Sequence, residues 1–145
     1  MHIIATTPQS GLKDYTTFNE FLAESGFPYI PRNRHSLEVL QQENQADGVV
    51  VWSNEGPVLY SQGDKFFFHP SMAKNRLAAY RKQGTDDPFV NACGIENGDK
   101  LLDCTLGLGA DAIVASYFTP HGTVVGLESS TAIAPVVKWG MKLYN

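Results

Sequence analysis

No stretch of this sequence approaches the ~20 consecutive apolar residues that a bilayer-crossing helix needs, which excludes a helical membrane span within it. Its opening residues also lack a charged segment followed by an apolar one, and the two absences together predict a cytoplasmic protein. Cysteine is scarce: Cys93 and Cys104 form no CxxC pair and fall far short of a disulfide framework. Both are expected as reduced, buried, small side chains. Histidine, cysteine and acids are nowhere spaced as metal ligands, so no metal is expected. A Ser-His-Asp or Cys-His set is missing too, and no catalytic residue is assigned. A strong excess of one charge is likewise lacking. The net charge of −4 gives no overall pull toward nucleic acid, so any such contact needs a local basic patch.

What is present suits a folded α/β chain. Of 145 residues, 43% are apolar, enough to bury a core in one domain or two small lobes. His2–Thr6 is β-prone, and Tyr15, Phe18, Phe21 and Leu22 recur at helical spacing before Gly26 stops the run. The aromatic positions of that helix are expected in the core. Pro28–Pro31 reads as extended, Ser36 as the cap of a second helix, and Val49–Trp52 with Val58–Tyr60 as a hairpin. These form a small N-terminal α/β lobe, residues 1–62. Residues 63–99 are a connector with helices over Met72–Lys82 and Phe89–Cys93, the second started by Asp86-Asp87-Pro88 and stopped by Gly94. From Lys100 the order is strand, helix, strand (Val124–Leu127), helix, which implies parallel strands in a doubly wound sheet over residues 100–145.

Chemistry concentrates in LLDCTLGLGADAIVAS, residues 101–116. A strand runs into Asp103, Gly107 and Gly109 follow one residue apart, and a helix begins. Glycines serve where the backbone takes a positive φ or passes close to a ligand. The helix start offers unpaired N–H groups and partial positive charge. Glu128 ends the next strand, 21 residues beyond Gly107, where a carboxylate can accept both hydroxyls of an adenosine ribose. Gly107–Ala112 also fits the GxGxxA pattern of nicotinamide dinucleotide domains, so an NAD-dependent oxidoreductase is a competing reading. Asp103 and Thr105 interrupt the usual apolar strand end, however, and Asp111 places a carboxylate where a pyrophosphate would sit. Such acids suit a cationic ligand without phosphate, and S-adenosylmethionine fits that description.

The run Asp103-Cys-Thr-Leu-Gly107-Leu-Gly109 resembles motif I of class I S-adenosylmethionine-dependent methyltransferases, with Thr105 where many members have glycine. DCTLGLGADAIVAS is similar to the D-x-T-x-G-L-G-x-D-A form of the small-subunit rRNA (guanine-N2) methyltransferase J-like family. FFFHPSMA and VVGLESS also resemble segments of related uncharacterised Firmicute proteins. The likeness is strongest over residues 66–140 and looser in the N-terminal lobe. It implies a small lobe followed by the first half of a Rossmann-like sheet, with S-adenosylmethionine as cofactor. Asp103, Thr105, Gly107, Leu108 and Gly109 would face its methionine end, Glu128 and Ser129 its ribose, and Asp111 the cofactor or substrate mouth.

The same likeness implies an RNA substrate, for which Lys74, Arg76, Arg81 and Lys82 are candidate phosphate contacts; a solvated helix face is the simpler alternative. Phe68, His69, Pro70 and Met72 are candidates for a cofactor lid or substrate wall, or for a linker packed between lobes. The sequence stops one helix after the second strand, whereas class I domains have seven strands. A truncated enzyme, or a half-domain completed by another chain or a homodimer partner, is therefore expected. A non-catalytic nucleotide-binding or dimerisation module is the second alternative.

Overall fold

The computed structural model describes residues 1–144. Its elements begin with β1 (Ile3–Thr6), α1 (Thr16–Ser25), α2 (Leu37–Glu43), β2 (Gly48–Ser53), β3 (Gly56–Ser61) and β4 (Asp64–Phe67). They continue with α3 (Ser71–Gln83), α4 (Pro88–Cys93), β5 (Lys100–Asp103), α5 (Ala110–Phe118), β6 (Thr123–Gly126) and α6 (Ile133–Leu143). The chain divides into two units: Met1–Phe68 together with the chain from Ser130 onward, and His69–Ser129.

In the first unit the strands form one sheet in the order β1-β2-β3-β4. Strand β1 lies parallel to β2, with Ile3 opposite Gly48, and the two following pairs are antiparallel. The alternation of side chains along a strand gives the sheet two apolar faces. Ile3, Ala5, Val50 and Trp52 share one face with Phe18 and Phe21 of α1 and with Val136 and Trp139 of α6. Ile4 and Val49 share the other with Leu40 of α2. Helices therefore cover both sides. The helix boundaries follow local chemistry: Gly26 takes the left-handed conformation after α1. Ser36 Oγ accepts from the Val39 amide at the start of α2.

Two expectations fail here. The aromatic connector contains a strand, β4, paired with β3 through a turn in which Gln62 and Gly63 both have positive φ. Helix α6 covers the first sheet, so the expected grouping of residues 100–145 is cut at Ser130, and the break comes after Phe68, not 62. The reason is apolar complementarity: Trp139 meets Trp52 edge to face at 5.6 Å and Phe21 at 6.1 Å. Phe68 belongs to the same packing, with its ring on Tyr144 at 5.8 Å. A Cβ added at Gly140 would fall 2.2 Å from Phe68 Cβ. Gly140→Ala should therefore cost about 1–3 kcal/mol through overpacking, although alanine favours an isolated helix by ~1 kcal/mol. A urea unfolding midpoint equal to or above that of the parent would contradict this packing.

In the second unit β5 and β6 are parallel, with Leu101 opposite Val124, as the strand-helix-strand order predicts. Ala73 of α3, Val90 of α4 and Val114 and Ala115 of α5 are buried together, with Leu101 and Val124 against them. The alternate strand residues Leu102 and Val125 remain 59% and 47% exposed. The chain as a whole is a mixed α/β protein. Among the described residues no helix is long and apolar enough to cross a membrane.

Candidate functional site

The site is built where β5 ends. Asp103 Oδ1 accepts from the Thr105 amide at 3.0 Å, a local turn that takes the chain out of the strand. Gly107 and Gly109 then adopt φ values of 50° and 71°, and Gly109 is the N-cap of α5. This left-handed backbone is the conformation for which glycine is suited. The segments that follow the two strands are stitched together. The Leu127 amide donates to the Asp103 carbonyl (2.7 Å), and the Leu106 amide to the Leu127 carbonyl (2.8 Å). Glu128 reaches the turn itself, with Oε2 accepting from the Gly107 N–H at 3.1 Å. The glycine turn and the acid that sequence spacing associates with it are thus in direct contact.

Beside this turn lies a cavity of about 320 Å³. Leu101, Asp103, Cys104 and Thr105 line it from β5 and its exit, Asp111 and Ala112 from α5, and Phe89 and Cys93 from α4. Its charged lining residues are Asp103 and Asp111, both acidic. Of the expected cofactor residues, Asp103, Thr105 and Asp111 line the cavity; Gly107 and Glu128 contact each other in the turn that follows, and neither is among its lining residues. Leu108 is half-buried in the turn, and Ser129 is exposed. The two cysteines are also exposed, contrary to expectation. Cys93 closes a six-residue helix and Cys104 follows a four-residue strand, so both fall at element ends on the cavity wall.

Arg76 departs most from the sequence reading. Its Nε and Nη2 grip Asp87 at 2.7 and 2.8 Å, and Nη1 meets Asp111 at 2.6 Å. It also sits 5.6 Å from the centre of the Phe89 ring. Asp87 is 6% exposed and caps α4 as well, accepting from the Phe89 and Val90 amides. The hydrogen bonds from Arg76 hold the Asp87 carboxyl below the usual carboxylate range, and the bonds from Asp87 and then Asp111 raise the guanidinium above its own. Arg76 is thereby committed to two carboxylates and is withdrawn from the group of candidate RNA contacts. Lys74, Arg81 and Lys82 remain exposed on α3. The pairing also tempers the charge argument against a phosphate at α5, which now rests chiefly on Asp103.

The residues expected as a lid or wall take several local roles. Phe68 packs against Tyr144 at the end of α6, Pro70 is the N-cap of α3 and Met72 is 63% exposed; within the second unit, His69, Pro70 and Met72 are not among the cavity's lining residues. Sequence reasoning missed Asp87, Phe89 and Cys93 as neighbours of the site. The helix-start signal Asp86-Asp87-Pro88 located Asp87 without revealing its partner.

Comparison with curated proteins finds an uncharacterized protein of Bacillus subtilis (strain 168), YpiP, 36% identical over 140 residues. The match takes in 96% of this chain and 54% of that protein. Among solved structures the fold is similar to a SAM-dependent methyltransferase from Neisseria gonorrhoeae, with a TM-score of 0.55 and 18% identity. That likeness covers 95% of this chain and 51% of the other. The chain thus spans about half the length of the curated relative it matches. No protein-family model matches the sequence. At this identity the structural likeness establishes the fold: the chain is folded like part of a SAM-dependent methyltransferase.

Proposed function

We propose that this chain carries the cofactor-binding part of an S-adenosylmethionine-dependent methyltransferase of the cytoplasm. The observation that carries the reading is the contact between Glu128 and the Gly107 amide, in the turn that continues from Asp103 and Thr105 of an acidic cavity wall. The residues suit the cofactor's chemistry. Its sulfonium and ammonium are cationic, which favours Asp103 and, to the extent that Arg76 leaves it uncompensated, Asp111 as neighbours, and its ribose hydroxyls need an acceptor such as Glu128. When bound, the cofactor supplies an electrophilic methyl group. The protein's task is then to hold that ligand and exclude misaligned encounters, a positioning role that requires no enzyme nucleophile.

Methyl transfer is proposed for the whole protein, of which this chain supplies the cofactor half, completed by further residues or a partner chain. RNA is the proposed acceptor class, supported by the family resemblance and by the exposed Lys74, Arg81 and Lys82 of α3. Isothermal titration with S-adenosylmethionine and with NAD tests the reading. Saturable binding of S-adenosylmethionine without NAD binding is expected, and binding of NAD alone would overturn it.

A further inference from the structure

Resting on that reading of the cavity, we propose that Arg76 is a specificity-determining residue. It sets how much negative charge Asp111 presents, and so the preference for S-adenosylmethionine over its demethylated product. The two ligands differ by one methyl group and one positive charge: the first is a sulfonium, the product a neutral thioether. A residue that distinguishes them acts mainly through charge in the cavity. Asp111 is the variable element there, because it lines the cavity and also receives Nη1 of Arg76.

Arg76 cannot swing toward a ligand without abandoning Asp87, whose side chain is buried and accepts two of its N–H groups. That anchor fixes the third donor on Asp111, which is 55% exposed at its side chain. The guanidinium fork is required, since a lysine ammonium in the same place is a single point charge and cannot grip one carboxylate side-on while bonding another. The arrangement moderates the acidity of the cavity. An unopposed Asp111 would hold the sulfonium ligand more tightly, and an uncharged residue there would leave product and cofactor more evenly matched.

The test is the ratio of affinities for S-adenosylmethionine and S-adenosylhomocysteine, measured by titration calorimetry. Asp111→Asn leaves the Arg76–Asp87 grip intact and should lower the preference for the sulfonium roughly threefold, the scale of one partly exposed charge pair. Arg76→Met combined with Asp87→Asn removes the clamp without leaving a buried carboxylate unpaired, and should raise that preference by roughly the same factor. Adding Asp111→Asn to that pair should abolish the rise, and added salt should shrink both effects. An unchanged ratio in Asp111→Asn overturns the inference, as does a rise that survives when Asp111 is neutralised. Should the clamp-less variant fail to fold, Arg76→Lys replaces it: a single ammonium cannot hold both carboxylates, the preference should rise, and an unchanged ratio there overturns the inference. A parent chain that binds neither ligand overturns the cofactor reading itself, an outcome distinct from an unchanged ratio.

Discussion

Asp87→Ala is expected to destabilise the second unit by about 3–5 kcal/mol, the usual cost of breaking a buried ion pair from one side. The carboxylate accepts four hydrogen bonds, two from Arg76 and two from the first amides of α4. Its removal leaves the Nε and Nη2 donors of Arg76 unpaired beside the Phe89 ring, with Asp111 as the remaining carboxylate partner, and uncaps the helix. Against a total stability of ~5–15 kcal/mol for a natural domain, the loss is large enough to populate open forms. Hydrogen exchange resolved by segment should show residues 69–129 losing protection; protection there equal to the parent's would refute the assignment. The pH dependence follows with a definite sign. Because the folded carboxyl is held below its unfolded value of about 3.9, its contribution is fully present above that pH. It is lost as the pH falls through the lower folded value. Asp87→Asn should flatten the stability profile in that acid window.

Glu128→Ala should weaken S-adenosylmethionine binding by about a hundredfold. A carboxylate accepting two ribose hydroxyls makes charge-assisted hydrogen bonds of ~1.5–3 kcal/mol each, and each ~1.4 kcal/mol is a factor of ten. The substitution also removes the acceptor of the Gly107 amide, loosening the turn. Far-UV circular dichroism should be unchanged, since neither residue lies within a helix or strand. A loss of affinity under threefold would place the ribose elsewhere.

Most local elements were legible in the sequence because their signals are local. Ser36, Asp87 and the glycines after α1 and α4 act within a few residues of the boundaries they set. The glycine turn and Glu128 were legible for a related reason: one strand-helix-strand unit fixes the distance along the chain between them. What escaped was pairing across the fold. An amphipathic α6 advertises an apolar face but not which sheet it covers, and only the match with Trp52 and Phe21 decides that. Arg76 looked like one of four cations on a helix, because nothing in its spacing shows that Asp87 and Asp111 meet it from two other helices. Strand β4 hid in an aromatic connector because its turn uses Gln62 in a left-handed conformation, where asparagine or aspartate is the familiar signal.

The pairing of Trp52 with Trp139 has an optical consequence. These are the chain's two tryptophans, and both belong to the first unit. Emission excited selectively through indole therefore reports that unit alone, while Tyr80 and Tyr117 of the second unit stay silent under such excitation. The indole Nε1–H of Trp139 donates to Glu24 at 2.9 Å, and the Lys142 ammonium lies 3.9 Å from the centre of its ring. Its spectrum should be sensitive to the docking of the final helix. The chain thus carries an intrinsic dye that distinguishes loss of the first sheet from loss of the glycine-turn unit without any added label.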